Sequence, residues 1–278
     1  MTTRKLITST FVYLISIIAL VTFIFPFLLL IINSFKNNGE ILTNPFSLPT
    51  SWNFSQFVEV IEKMNFFVTF KNSFLITSIS TLLIVVFSAM AAYHLVRRPT
   101  KYNKLFFTII VASMVIPFQT LMIPLMYIYG SRLHLIEMVP IPLLIFFYIG
   151  FGSALSIFIF HGFIKSIPVE IEEAAIIDGC SRIQTFFLIV FPMLKPITAT
   201  VAILNVLWIW NDYLLPSLVL TNEDVYTMPV KMKVFNGTYM NNWELLIPAI
   251  LLTVIPILIM YLIGQKSIIN GVTQGSIK

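Results

Sequence analysis

The stretch Lys165-Ser166-Ile167-Pro168-Val169-Glu170-Ile171-Glu172-Glu173-Ala174-Ala175-Ile176-Ile177-Asp178-Gly179-Cys180-Ser181-Arg182-Ile183-Gln184, continuing through Pro192 to Lys195, is a polar interruption between two long apolar runs. Ser166 or Ile167 can open a short helix with Pro168 in its first turn, where a missing N–H does no harm, and Glu170, Glu172 and Glu173 then sit near the positive end of the helix dipole. Gly179 closes it in the place a left-handed cap requires. The helix so bounded has about 11 residues and is about 16 Å long. Ser181-Arg182-Ile183-Gln184 is an S-x-x-Q capping box that starts a second helix at once. Pro192 and Pro196 mark the return to apolar sequence. On the first helix Ile171, Ala174, Ala175 and Asp178 fall on one face by their i, i+3, i+4, i+7 spacing. Alanines there let another backbone approach, with Glu173 and Asp178 supplying flanking charge. A helix lying in a lipid headgroup layer is usually rich in Lys and Arg, whereas this one has four acids and no base between Pro168 and Cys180. An anionic leaflet would repel it, so the stretch reads as a helix, glycine turn and helix that dock on a protein partner.

Outward from this loop the chain is strongly apolar. Of 278 residues 58% are hydrophobic and only 10% are charged, and the mean hydropathy is +0.93. A soluble domain carries roughly 25% charge, so most of this surface faces lipid and an ordinary soluble enzyme is excluded. The net charge of +5 invites a nucleic-acid reading only until its placement is considered. Single Cys180 leaves no disulfide framework and no cysteine metal site. His94, His134 and His161 are too far apart in sequence for a ligand set, so no metal and no catalytic residue is expected.

Spans of about 20 apolar residues are expected at about 9–33, 72–96, 105–129, 138–162, 197–220 and 245–264, with 165–195 as the loop between the fourth and fifth. The first run, Leu6 to Phe35 behind Arg4 and Lys5, is far longer than the h-region of a signal peptide. Six spans put both termini on one side. With that side inside, the inner segments hold 11 of the 17 Lys and Arg residues and the outer segments 6, which places both termini in the cytoplasm. The basic excess is then a topogenic signal, and no nucleic-acid partner is expected. The fold class that follows is an all-α integral membrane protein forming a single domain over 1–278. The outer loops 36–68 and 221–244, with Pro45, Pro49, Trp52, Pro229, Asn236, Gly237 and Trp243, suit lids or docking surfaces, and equally suit residues of an interfacial belt.

Glu173-Ala174-Ala175, three residues, Gly179, nine residues and Ile189-Val190-Phe191-Pro192 resemble the EAA motif (E-A-A-x3-G-x9-I-x-L-P) of permease subunits of binding-protein-dependent ABC importers, with Phe191 in place of leucine. Further matches point to the carbohydrate branch, of the maltose-transporter G-subunit type. These are Asn72-Ser73, Ala91-Ala92-Tyr93, Pro117-Phe118-Gln119, Ile123-Pro124-Leu125, Ile177-Asp178-Gly179, Trp210-Asn211-Asp212-Tyr213 with Pro216, and the tail Gly271-Val272-Thr273-Gln274-Gly275. Where that branch usually reads G-A-V-K-G, this chain has Gly275-Ser276-Ile277-Lys278.

The resemblance implies a type I ABC importer transmembrane domain, N-in and C-in, in a bacterial or archaeal plasma membrane. Its cytoplasmic coupling helix would seat in an ATP-hydrolysing subunit through Glu173, Ala174, Ala175, Asp178, Gly179, Ile189 and Pro192, and the tail, with Gln265, Gly271 and Gly275, would reach the same ATPase dimer. Implied partners are a second permease subunit in a heterodimer, two ATP-binding subunits and an extracytoplasmic solute-binding protein. ATP and Mg belong to those partners, because this chain has no G-x-x-x-x-G-K-[ST] loop. The implied cargo is a sugar or oligosaccharide, with glycerol phosphate or another non-sugar solute as the alternative.

Pathway residues rest on weaker grounds. Gln119 is an amide expected deep within a span, where it needs a partner or a water-lined cavity. Asn205, Trp208, Asn211 and Asp212 could line the same space, while interhelical bonding, an aromatic belt or helix capping would account for them equally well. An ion-coupled secondary transporter would carry buried ionisable groups in several spans, whereas Asp212 is the single acid within one. A membrane-embedded enzyme would need clustered ligands, or a nucleophile with a base in reach.

Overall fold

Helix covers most of every apolar run in the computed structural model, which describes residues 2–235 and 242–276, with side chains over 9–235 and 242–265. Asn236 and Gly237 lie outside the described residues, and of Gly271 and Gly275 only the helical backbone is described. The principal helices are α1 (Thr2–Asn33), α2 (Phe66–Arg97), α3 (Lys101–Ser113), α4 (Phe118–Leu125), α5 (Pro140–Ile164), α6 (Val169–Ile177), α7 (Lys195–Asn211), α8 (Leu214–Val219) and α9 (Trp243–Ser276). Among the described residues, α1, α2, α5 and α9 are long and apolar enough to cross a membrane, and two bent pairs would bring the number to six.

Proline chemistry explains the bends. α2 stops before Arg98-Pro99, since proline disfavours the helical conformation in the residue ahead of it. Thr100 then caps α3, its Oγ1 accepting the Asn103 N–H at 3.2 Å. The span expected over 105–129 is not one straight helix. Pro117 offers no N–H and pushes Ile116 out of the helical region, so α3 ends and the chain restarts at Phe118, bent by 96°. The span expected over 197–220 also divides. Asp212 is extended (φ −71°, ψ 128°), and its Oδ1 accepts the Leu214 N–H at 3.1 Å to begin α8. The tail, expected as a polar segment after the last span, continues α9 to Ser276.

Two compact units are present, residues 1–67 with 232–255, and residues 68–231 with 256–278. In the first, the loop after α1 is braced rather than loose. Lys36 is fully buried, and its ammonium donates to the carbonyls of Asn44 and Pro45 at 3.1 and 3.2 Å. Gln56 Nε2 donates to the Lys36 carbonyl at 3.1 Å and to Glu244 Oε1 at 3.3 Å. Trp52, Phe54 and Phe57 pack about the Phe35 ring.

In the second unit α2, α5 and α7 supply most of two buried apolar clusters. One gathers Ile76, Ile84, Leu144, Tyr148 and Ile209. The other gathers Val85, Ala89, Phe160, Ile164, Phe186, Val190 and Val201. Gly152 lets the three helices meet, because a Cβ there would stand 2.7 Å from both Asn205 Oδ1 on α7 and Ile84 Cδ1 on α2.

Candidate functional site: the α6 loop

Residues 165–195 fold much as their local chemistry requires. α6 has 9 residues, fewer than expected. Ser166 and Ile167 belong to the turn closing α5, their N–H groups donating to the Phe163 and Ile164 carbonyls at 3.0 and 3.1 Å. Pro168 precedes α6 in extended conformation (φ −58°, ψ 135°). At the far end Cys180 N–H donates to the Ala175 carbonyl and Gly179 N–H to the Ile176 carbonyl, both at 3.0 Å. Gly179 has φ +93°, and together these make a Schellman cap. The capping box is formed, with Ser181 N–H donating to Gln184 Oε1 at 2.8 Å and Gln184 N–H to Ser181 Oγ at 3.3 Å. A π-helical turn, Thr185–Val190, follows, and the segment Arg182–Met193 meets α7 at 79°.

The faces of α6 depart from expectation in one respect. Glu173, Ala174, Asp178 and Gly179 are exposed, as are Ile171, Ile176 and, most of all, Ile177 at 84%. Ala175, expected on the same face, is turned inward with Glu172. These two lie three residues apart, on the side of α6 that packs against Thr185–Val190. Ile189 is half-buried and Pro192 exposed.

Glu172 is the residue that the sequence reading overlooked. The residue is 5% exposed, and its carboxylate is engaged by the C-terminal end of α2. Tyr93 OH donates to Oε2 at 2.7 Å, Arg97 Nε donates to Oε1 at 2.8 Å, and Arg97 Nη2 lies 2.6 Å from Oε1. Arg97 Nη2 also donates to the Ile167 carbonyl at 2.9 Å. Tyr93 and Arg97 are four residues apart and so share a face of α2. That spacing beside a proline-bounded loop was the available signal. A cavity of about 680 Å³ adjoins the clasp, lined by both its partners and by His94, Arg98, Glu173, Arg182 and Phe186.

The five pathway candidates are not brought together as one set, though Asn205 and Trp208 share a cavity. Gln119 is exposed near the start of α4, just after the break at Pro117. Asn205 is buried, its Nδ2 donating to Ser156 Oγ at 3.0 Å and to the Val201 carbonyl at 2.8 Å. Trp208 stands edge-on to Tyr148, centroids 5.4 Å apart. It shares a cavity of about 230 Å³ with Asn205, Phe151, Gly152, Leu155 and Leu204. Asn211 is exposed and donates to the Leu207 carbonyl. Asp212 accepts from Tyr148 OH at 3.0 Å and caps α8, which is structural work. Gln265 donates to the Leu262 carbonyl of its own helix. No cluster of His, Cys, Asp and Glu that could hold a metal occurs among the described residues.

Residues 84–267 match the family model described as binding-protein-dependent transport system inner membrane component. The chain belongs to this family. The match spans α6 and its clasp, and the long apolar helices make the permease an integral membrane protein. It is 38% identical to the probable starch degradation products transport system permease protein AmyC of Thermoanaerobacterium thermosulfurigenes, over 91% of each chain. It is 37% identical to the melibiose/raffinose/stachyose import permease protein MelC of Bacillus subtilis, over 95% of this chain and 94% of the relative. A chain in the crystal structure of a bacterial ABC transporter that imports the acidic polysaccharide alginate shares the fold, with a TM-score of 0.74 at 21% identity, covering 96% of the permease and 98% of that chain.

Gly179 gives a test of the permease loop that needs no partner. A Cβ at this position would have nothing within 4 Å, so any substitution acts through the backbone alone. Left-handed φ costs a non-glycine residue about 1–2 kcal/mol, less for asparagine and more for a β-branched side chain. Gly179→Val is expected to raise amide exchange of Gly179 and Cys180 by at least about tenfold, since 1.4 kcal/mol is one decade. Gly179→Asn should have the smallest effect and Gly179→Ala an intermediate one. Equal effects would show that the cap is not what the glycine provides.

Proposed function

We propose that this permease is a membrane-spanning subunit of an ATP-driven importer for a sugar or oligosaccharide, taking substrate from an extracytoplasmic binding protein. The observation that carries the reading is α6, a short, capped helix that presents Ile171, Ala174, Ile177, Glu173 and Asp178 outward while Glu172 and Ala175 hold it from behind. An exposed apolar surface edged by acids suits seating in a cleft of another protein. The relatives named above import starch breakdown products and raffinose-type sugars, which favours carbohydrate over glycerol phosphate.

On this reading six segments cross the membrane, with the bent pair over Lys101–Arg132 as the third and 197–220 as the fifth, and both termini are cytoplasmic. α6 is the coupling helix, with Glu173, Ala174, Asp178 and Gly179 toward the ATPase. Ala175, Ile189 and Pro192 shape the loop behind it, and the end of α9, from Gln265 through Gly271 and Gly275, runs toward the same subunits. The permease pairs with a second, different permease over two ATPase subunits, which bind the ATP and Mg. The Asn205–Trp208 cavity is the better candidate for contact with cargo.

The test is a reconstituted complex with its binding protein. Glu173→Lys is expected to lower sugar uptake and binding-protein-stimulated ATP hydrolysis at least about tenfold, by setting like charge or an unpaired group in the docked surface. Unchanged uptake and hydrolysis would remove the coupling role. Uptake that persists without any ATPase, and collapses with the proton gradient, would favour an ion-coupled carrier.

A further inference from the structure

α2 is held at both of its ends by side chains that reach the two loops on which the proposed transport cycle depends. Its 32 residues make a rod about 48 Å long, longer than a hydrocarbon core of about 30 Å. At the C-terminal end stands the Glu172 clasp. It is the one ion pair among the described residues with both side chains at most one-sixth exposed, at 16% and 7%. At the N-terminal end Asn72 Nδ2 donates to the carbonyls of Asp224 and Tyr226 at 2.8 and 3.1 Å. One residue on, Ser73 Oγ accepts the Met228 N–H at 2.8 Å. The loop they grip is itself pinned, with buried Lys231 paired to Glu223.

The backbone joins α6 only to α5 and, through the π-helical turn, to α7. The clasp therefore adds a third helix to whatever moves α6. The same helix grips the segment 223–228 on the other side of the apolar core, with two side-chain amide bonds and one hydroxyl bond directed at main chain. Bonds to main chain fix where the segment sits whatever its side chains are. Gln119 and the Asn205–Trp208 cavity take no part in this path.

We infer that α2 is the push-rod of the permease: through Glu172–Arg97–Tyr93 at one end and Asn72–Ser73 at the other, it makes the position of the coupling helix and the position of the 223–228 loop one variable. Arg97, Glu172, Asn72 and Ser73 are then positioning residues, acting through α6 and the outer loop and not on the cargo. The inference rests on the proposed function, since it supplies the route by which a docked binding protein would signal to the ATPase.

A double-mutant cycle on the reconstituted complex tests it, read as the ratio of ATP hydrolysis with and without sugar-loaded binding protein. Glu172→Gln and Asn72→Ala are each expected to reduce that ratio about fivefold, and the double variant no further, because a rod cut once transmits nothing. Tyr93→Phe, which removes one bond and keeps the ion pair, should reduce it about twofold. Arg97→Lys, which keeps the charge and loses the forked geometry, should fall between these. Single variants that keep the wild-type ratio, or effects that multiply in the double variant, overturn the rod and leave the proposed function standing. A wild-type complex with no stimulation overturns both. Hydrogen exchange on the full permease in lipid discs gives a readout independent of partners and of assembly. Glu172→Gln should raise exchange about threefold or more in 169–177 and also in 223–228. A rise confined to 169–177 overturns the rod.

Discussion

Arg97→Met is expected to destabilise the permease by about 3–5 kcal/mol, the range for breaking a buried ion pair from one side. The loss comes less from the missing attraction than from what stays behind. Glu172 would keep its carboxylate buried, with Tyr93 OH at 2.7 Å as its remaining described donor. The Ile167 carbonyl would also lose its guanidinium donor. The measurement is the temperature at which the detergent-solubilised protein loses its monodisperse size-exclusion peak, compared in one detergent. The double variant Arg97→Met with Glu172→Leu should recover most of the loss, since replacing both partners by apolar groups of similar volume is often neutral or better. A single variant as stable as wild type would mean that water reaches Glu172 and that the clasp is not buried.

Gly152→Val should sharply lower the recovery of folded permease. A Cβ at Gly152 would lie 2.7 Å from Asn205 Oδ1, 2.7 Å from Ile84 Cδ1 and 3.4 Å from Trp208 Cζ3. Asn205 cannot turn aside freely, because its amide is committed to Ser156 and to the Val201 carbonyl. Ile84 sits in the buried cluster with no exposed surface. Overpacking of this kind costs about 1–3 kcal/mol. Displacing the asparagine strands a buried polar group for about another 1–3 kcal/mol. Together these are a large part of the 5–15 kcal/mol typical of a whole folded chain. Gly150, in the same helix, is the control, since a Cβ there meets nothing within 4 Å. Gly150→Ala should be neutral or stabilising by up to about 1 kcal/mol, the difference in helix propensity. Expression yield and the same size-exclusion assay separate the two, and equal behaviour would show that the three helices are not in close contact at Gly152.

Which parts of this architecture could be read from the chain depended on how local the deciding interaction is. The Schellman cap at Gly179 and the Ser181–Gln184 box are set within six residues, and both formed where their residue types required. The ends at Asn33, Arg97, Pro140, Ile164 and Trp243 lie within two residues of expectation, whereas the first two long helices begin six or seven residues earlier and the last runs twelve residues further, to Ser276. Pro117 was visible, yet its effect was not, because whether a proline kinks a helix or ends it depends on what the freed groups find nearby. Asp212 was likewise visible as a possible cap, and the partner that orients it, Tyr148, lies 64 positions away. Glu172 was hidden most thoroughly. Among four acids on one short helix nothing local distinguishes the one that faces Arg97, 75 positions earlier. Only the register of α6 on its support decides that, and the register follows from Ala175 and Glu172 sharing a face.

Ile177 has one more consequence. A side chain of this size left 84% in contact with solvent forgoes most of the 1.5–3 kcal/mol that covering it would contribute, and Ala174 and Ile171, at successive i−3 steps on the same side, extend the uncovered patch. On the proposed reading this patch lies in the cytosol, where no lipid can cover it. On that reading, a permease chain made without its ATPase would be a sticky orphan, open to chaperones and proteases at the site the proposed subunit would hide. The surface proposed to receive mechanical work in the finished machine would thus also report, in every newly made copy, whether the machine has been finished.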